Sequence, residues 1–278
     1  MVKARRRFGQ HFLEPAWVTK LVNALGAGLE DTFVEIGPGR GAITVPLAGR
    51  VARLLAIEVD RDLAAALEGR AISGLTVLQA DVLDLDLAAA IGGWQGAPLG
   101  ADHAVRVVGN LPYNISSPIL FRLLDLANTT HGLVDATLML QREVADRLVA
   151  RPGTREYGVL SILTALRADV VRLLALPPGA FRPPPKVSSA VVRLSFRPSP
   201  VSVADEALLT RMVRTIFTQR RKTLSNALKP FAAAMGLLPG EALAEAGLDG
   251  QRRPETLHLV ELARLADVFA SASPRPVL

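Results

Sequence analysis

Three glycines and two acids in this chain are spaced like a nucleoside-binding set. Gly37, Gly39 and Gly41 fall in "VEIGPGRGAIT" (34–44), between an apolar β-rich run and a helical pattern. Glycine lets the backbone turn tightly and approach a ligand, and a helix N-terminus offers unpaired N–H groups. Glu58 ends the next β-rich run, 21 positions after Gly37, where a carboxylate can accept hydrogen bonds from both ribose hydroxyls. Asp81 ends the third run, where it can accept from the exocyclic amine of an adenine. Three successive strand ends would then hold one adenosine. Gly37, Gly39 and Ala42 also match G-x-G-x-x-A, so a dinucleotide-dependent dehydrogenase competes for the glycines and Glu58. Asp81 favours an adenosyl ligand, and S-adenosylmethionine fits, its sulfonium pointing to the end of the fourth run. Taken singly, either acid could equally be a helix N-cap or a solvated loop acid.

The fourth run, "AVRVVGN" (104–110), leads into "GNLPYNIS" (109–116). Loop tips favour Gly, Ser and Asp, and each has a backbone reason for being there. An amide followed by Pro112 and Tyr113 has no such reason.

The elements that would position these residues alternate along the chain. The β-rich runs 32–37, 53–60, 75–81, 104–110 and 135–141 are nearly continuous in hydrophobicity and are separated by helical patterns. That predicts a parallel, doubly wound α/β sheet covered on both faces. Ser116 and Ser117 read as helix caps ahead of Pro118. Runs 170–176 and 188–196 would finish the sheet as an antiparallel hairpin. "RPSPVS" (197–202) marks a boundary, and Ser202 with Asp205 resembles a capping box. Leu208, Leu209, Met212, Val213, Ile216 and Phe217 then form one apolar helical stripe. The expected division is a Rossmann-like domain over 1–198 and a small all-α domain over 199–278.

Composition narrows the function. With no cysteine, the chain has no disulfide, thiolate zinc site, iron–sulfur cluster or cysteine nucleophile, and its four scattered His predict no metal site. Apolar runs are broken by charge well short of 18 residues, which predicts a soluble, cytoplasmic protein with no membrane partner. The net charge of +6 is unevenly spread. Residues 1–13 carry four bases and no acid, and residues 170–240 carry eleven bases against Asp205 and Glu206. Such one-sided excess points to a polyanionic partner, nucleic acid first.

At this point the sequence resembles the ribosomal RNA adenine-N6 dimethyltransferases, within them the small-subunit (16S) enzymes. The resemblance runs through "FGQHFL" (8–13), "VEIGPGRGAIT", "AIEVD" (56–60), "QAD" (79–81), "GNLPYNIS", "MLQREVADRLVA" (139–150), "YGVLSI" (157–162), "FRPPPKVSSAVVRL" (181–194) and "QRRKTLSNAL" (219–228). It implies a Rossmann-like S-adenosylmethionine-dependent methyltransferase sheet. It also implies that His11, Leu13, Glu35, Gly37, Gly39, Glu58, Asp81, Val82 and Asn110 contact the cofactor. His11 stands where the family more often has Asn, and its ring can still donate a hydrogen bond.

The implied chemistry accounts for the tetrad Asn110, Leu111, Pro112 and Tyr113. An adenine amino nitrogen is a poor nucleophile because its lone pair is delocalised into the ring. Acceptors on its two hydrogens, the Asn110 oxygen and the Leu111 or Pro112 carbonyl, draw it toward a pyramidal geometry. Proline's fixed φ holds the loop. Positioning and electrostatics then dominate, and no strong base is needed. Tyr113 would stack on an extruded base, with Phe181 expected on its second face. Arg5, Arg6, Arg7, Lys186, Arg220, Arg221, Lys222 and Lys229 would neutralise phosphates. The implied substrate is two adjacent adenines in the 3′-terminal hairpin loop of 16S RNA, within an immature 30S subunit, with a monomer as the default state. Two other readings are a large-subunit (23S) methyltransferase of the antibiotic-resistance type and a non-catalytic RNA-binding assembly factor on the same fold.

Overall fold

A computed structural model describes residues 11–272, so Arg5, Arg6 and Arg7 lie outside the described residues. The described chain divides into two compact units.

The first unit runs to Ala145 and resumes over Ala168–Arg197. Its elements in chain order are β1 (Phe12–Leu13), α1 (Pro15–Leu25), β2 (Thr32–Ile36), α2 (Thr44–Ala48), β3 (Arg53–Glu58), α3 (Arg61–Glu68), β4 (Leu75–Gln79) and α4 (Leu87–Gln95). Then come β5 (Val105–Asn110), α5 (Ser116–Thr130), β6 (Leu133–Gln141) and α6 (Arg142–Leu148), whose last turn passes into the second unit. After α7 (Val159–Ala165) of the second unit, β7 (Ala168–Leu176), β8 (Phe181–Arg182) and β9 (Ser189–Phe196) complete the first. The main sheet has the order β4-β3-β2-β5-β6-β9-β7. The first five strands are parallel, and β9 runs antiparallel to both β6 and β7. The strand order reverses at β2, so a crevice opens beyond the carboxyl ends of β2, β3 and β5, where open α/β sheets bind ligands. β2, β3 and β5 are almost wholly buried, which is why their sequences show no alternation.

Two helix starts differ from expectation. α5 begins at Ser116 with Ile115 as N-cap, and the Ser116 hydroxyl instead donates to the Tyr113 carbonyl at 3.2 Å. Each serine so placed is inside the first turn, past the capping position. At α8 (Glu206–Phe217) the cap is Asp205, whose carboxylate accepts from Leu208 N at 2.8 Å, and Ser202 takes no part.

At the far end of α1, the carbonyls of Ala24, Leu25 and Gly26 accept from two arginines. Arg106 of β5 donates to Leu25 O at 2.7 Å and to Gly26 O at 3.2 Å, while pairing with Asp31 and Asp135 at 2.8 Å each. Arg193 of β9 donates to Ala24 O at 2.6 Å and Leu25 O at 2.9 Å. Two cations thus meet the negative end of the helix that follows the site segment β1.

The second unit is Asp146–Arg167 together with the chain from Pro198 onward, which corrects the expected division at 198 and 199. The physical reason lies in contacts within that unit. Tyr157 is buried, its hydroxyl donating to Leu257 O at 2.9 Å and its ring meeting Phe217 edge-on. Gly153 N donates to Glu255 O at 2.7 Å, and Arg167 pairs with Glu206. α8, α9 (Leu224–Ala234), α10 (Pro239–Glu245) and α11 (Leu259–Ala272) supply the remaining core, with Phe231 and Phe269 edge-to-face at 5.1 Å.

Candidate active site

The carboxyl ends of β2, β3, β4 and β5 surround a cavity of about 240 Å³. His11, Leu13, Glu35, Gly37, Gly39, Glu58, Asp81, Val82, Asn110, Leu111, Pro112 and Tyr113 all line it.

After β2 the chain turns through Gly37, Gly39 and Gly41, each at positive φ. At Gly39 (φ +57°) a Cβ would lie 3.4 Å from the Phe12 ring; at Gly41 (φ +77°) it would lie 2.8 Å from Leu67 Cδ1. The turn therefore brings bare backbone against the cavity on one side and packed side chains on the other. Glu58 anchors it: Oε2 accepts from Gly39 N at 2.9 Å and Oε1 from Asp60 N at 2.9 Å. Asp60, rather than Glu58, is the N-cap of α3. Each Glu58 oxygen keeps a second lone pair for a ligand hydroxyl. Asp81 Oδ1 accepts from Leu83 N at 2.9 Å, which turns the loop after β4 and leaves Oδ2 for an amine.

Glu35 is 1% exposed and its Oε2 has no hydrogen-bond partner in the protein. Burial pushes its carboxyl up to about 7; the Thr44 hydroxyl pulls the other way without reaching hydrogen-bond geometry, and the Glu58 charge adds to the rise. The unfolded carboxyl therefore ionises first as pH rises. The folded state holds the extra proton, so its stability falls between the two values. We expect the ligand-free protein to lose about 2 kcal/mol between pH 5 and 7 through this one group. Chemical unfolding across that range should show the loss, and Glu35→Gln should remove it.

At the end of β5, Asn110 Nδ2 donates to the His11 carbonyl at 2.9 Å. A carbonyl only accepts, so the amide's oxygen end remains for the cavity. Pro112 O accepts from Ile115 N at 3.1 Å, which closes the loop and leaves Leu111 O the less committed of the two carbonyls. The Tyr113 hydroxyl bonds Ser189 Oγ at 2.6 Å, and burial raises its pKa while that bond lowers it.

Two of the expected site residues are placed away from the cavity. Phe181 is 1% exposed and sits in the hydrophobic core with Leu13, Ala180 and Val191, because the β1–β8 register sets it opposite Leu13. It does not line the cavity. Arg220 is tied to Glu255 Oε2 at 3.0 Å and to Arg155 O at 2.7 Å, so its guanidinium is spent inside its own unit. Lys186, Arg221, Lys222 and Lys229 are exposed.

The sequence reading missed several residues that line the cavity or support its lining. Phe12 and Val59 line the cavity, and Ser189 holds Tyr113. Val59 is an apolar residue 40% exposed between the cavity-lining Glu58 and the capping Asp60. Among the described residues no three His, Asp or Glu are placed to hold a metal, and no helix is long and apolar enough to cross a membrane.

An unpartnered buried carboxylate oxygen, bare turn backbone and two acids with spare lone pairs fit a cationic adenosyl ligand. Comparison with known proteins agrees. A "Ribosomal RNA small subunit methyltransferase A" of Acinetobacter baylyi is 45% identical over 95% of this chain and 92% of its own length. A protein of the same name from Aromatoleum aromaticum is 44% identical over 98% and 97%. The crystal structure of a dimethyladenosine transferase from Plasmodium falciparum shares the fold, with a TM-score of 0.76 at 23% identity over 94% of this chain and 98% of that one. The profile described as ribosomal RNA adenine dimethylase matches residues 1–247, and the chain belongs to that family.

Proposed function

We propose that this chain dimethylates the N6 amino groups of two adjacent adenines in the 3′-terminal hairpin loop of 16S RNA, using S-adenosylmethionine and acting on the immature 30S subunit. The observation that carries the reading is that the adenosyl-binding residues and the Asn110–Tyr113 tetrad line one cavity. The names of the relatives favour the small-subunit over the large-subunit target. Retention of both halves of the site speaks against a non-catalytic assembly factor.

Bound S-adenosylmethionine would supply an electrophilic methyl group on a sulfonium. Glu58 would hold the ribose, Asp81 the adenine amine and Glu35 the ammonium of the amino-acid end. Asn110 Oδ1 and Leu111 O accept the two hydrogens of the target amino group, which localises the nitrogen lone pair. Tyr113 stacks on the target base, worth about 1–3 kcal/mol, and so rewards its extrusion. The chain needs no general base, because the product ammonium is acidic enough to lose its proton to solvent.

Exposed Arg221, Lys222 and Lys229 supply phosphate contacts, which set affinity without reading sequence. The protein works as a monomer in the cytoplasm. Labelled-methyl incorporation into purified 30S and 50S particles, side by side, tests the target: incorporation into 30S alone is expected, and incorporation into 50S alone would overturn it. Replacing all three cations with Gln should reduce the slope of log affinity against log salt by about two, as expected for three contacts to single-stranded RNA. Filter binding across 50–300 mM salt, a range set roughly by the usual salt-titration window, reads the slope.

A further inference from the structure

His11 makes three contacts that converge on the target-base side of the cavity. Its carbonyl accepts from Asn110 Nδ2 at 2.9 Å. Its ring Nδ1 stands 2.8 Å from the Pro183 carbonyl. That carbonyl can only accept, so Nδ1 carries a hydrogen. The ring itself lies over Tyr113 with centroids 5.7 Å apart and planes 25° from parallel, an offset stack. Tyr113 is thereby held at two points: Ser189 fixes its hydroxyl at 2.6 Å, and the imidazole fixes its plane. Phe181, which sequence alone places on the base, packs in the core and makes no part of this arrangement.

We propose that His11 is a positioning residue for the target base, acting through Tyr113 rather than through the cofactor. The inference rests on the reading of Tyr113 as the base platform. The Pro183 bond fixes the azimuth of the imidazole, and the stacked imidazole sets the Tyr113 ring at the angle an incoming purine meets. An amide side chain at position 11 could keep the bond to Pro183 but offers no aromatic face. An alanine offers neither.

The test uses the full chain with fluorotyrosine at its two tyrosines, Tyr113 and Tyr157. Tyr157 is buried in the second unit, so its signal reports that this unit stays folded, and an unchanged denaturant midpoint reports the same of the whole chain. In His11→Ala the Tyr113 signal should move while the Tyr157 signal stays, in the absence of any ligand. KM for 30S particles should rise about five- to tenfold, the range expected for loss of one aromatic pair. The dissociation constant for S-adenosylmethionine, by calorimetry, should change less than twofold. His11→Phe should restore the Tyr113 signal and most of the KM, and His11→Asn should behave like the alanine variant. A stationary Tyr113 signal, or a tenfold loss of cofactor affinity with KM for RNA unchanged, would overturn the proposal. Failure of the wild-type chain to methylate any RNA would instead overturn the functional reading; the fluorotyrosine shift, which needs no activity, tells the two apart.

Discussion

Asn110→Ala is expected to lower kcat for RNA methylation by about two to three orders of magnitude, as loss of one preorganised polar group does elsewhere. The residue sits at the end of a buried parallel strand, and its amide nitrogen is already committed to the His11 carbonyl. Only its oxygen is therefore lost from the reacting side. Because the main-chain ladder between β5 and β6 continues to Asn110 opposite Met139, the strand end should stay in place. Cofactor affinity should fall far less than kcat. Single-turnover methylation together with calorimetric titration of S-adenosylmethionine separates the two effects; an equal loss in both would mean that Asn110 serves binding rather than chemistry.

Arg106→Ala is expected to destabilise the protein by about 3 kcal/mol. Burial works against the guanidinium charge, and the hydrogen bonds and charges of Asp135 and then Asp31 more than offset it. Removing one partner of a buried pair costs about 3–5 kcal/mol, since the remaining charge is left without compensation. Asp135 keeps Arg193 Nε at 3.7 Å, which sets the loss at the lower end of that range. Arg106→Lys should recover only part of it. A lysine cannot span two carboxylates and two helix carbonyls from one planar fork. Denaturant midpoints of the three proteins check the order, and equal midpoints would refute it.

The sheet was legible because burial on both faces leaves strands nearly continuous in hydrophobicity, and β2, β3 and β5 have that pattern. β4 lies at the sheet edge and is only half-buried, although its run of apolar residues reads like the others. The two-residue pair β1–β8 is too short to show any period, yet its register decides that Phe181 points into the core. An aromatic ahead of three prolines reads equally well as a platform or a plug, and only the partner strand separates them. The excursion of Asp146–Arg167 into the second unit was hidden for another reason. Contiguous reading assigns a segment to the domain around it, although the "RPG" at 151–153, just past the crossing at Ala145 and Asp146, carries a turn signal. Arg220 was misread because composition counts a cation without its partner, and Glu255 lies 35 positions away. The cavity residues, by contrast, follow from topology. Strand ends that share one edge of a parallel sheet must converge, so residues 37, 58, 81 and 110 are neighbours however far apart in sequence.

The most direct test is mass-mapping of adenines in RNA from unmethylated 30S particles after incubation with the protein and S-adenosylmethionine. Two adjacent dimethyladenines in the 3′-terminal hairpin are expected with the wild-type chain, and almost none with Asn110→Ala. Unmodified adenines there, or dimethylation by the variant at the wild-type rate, would contradict the claim that this strand end carries out the transfer.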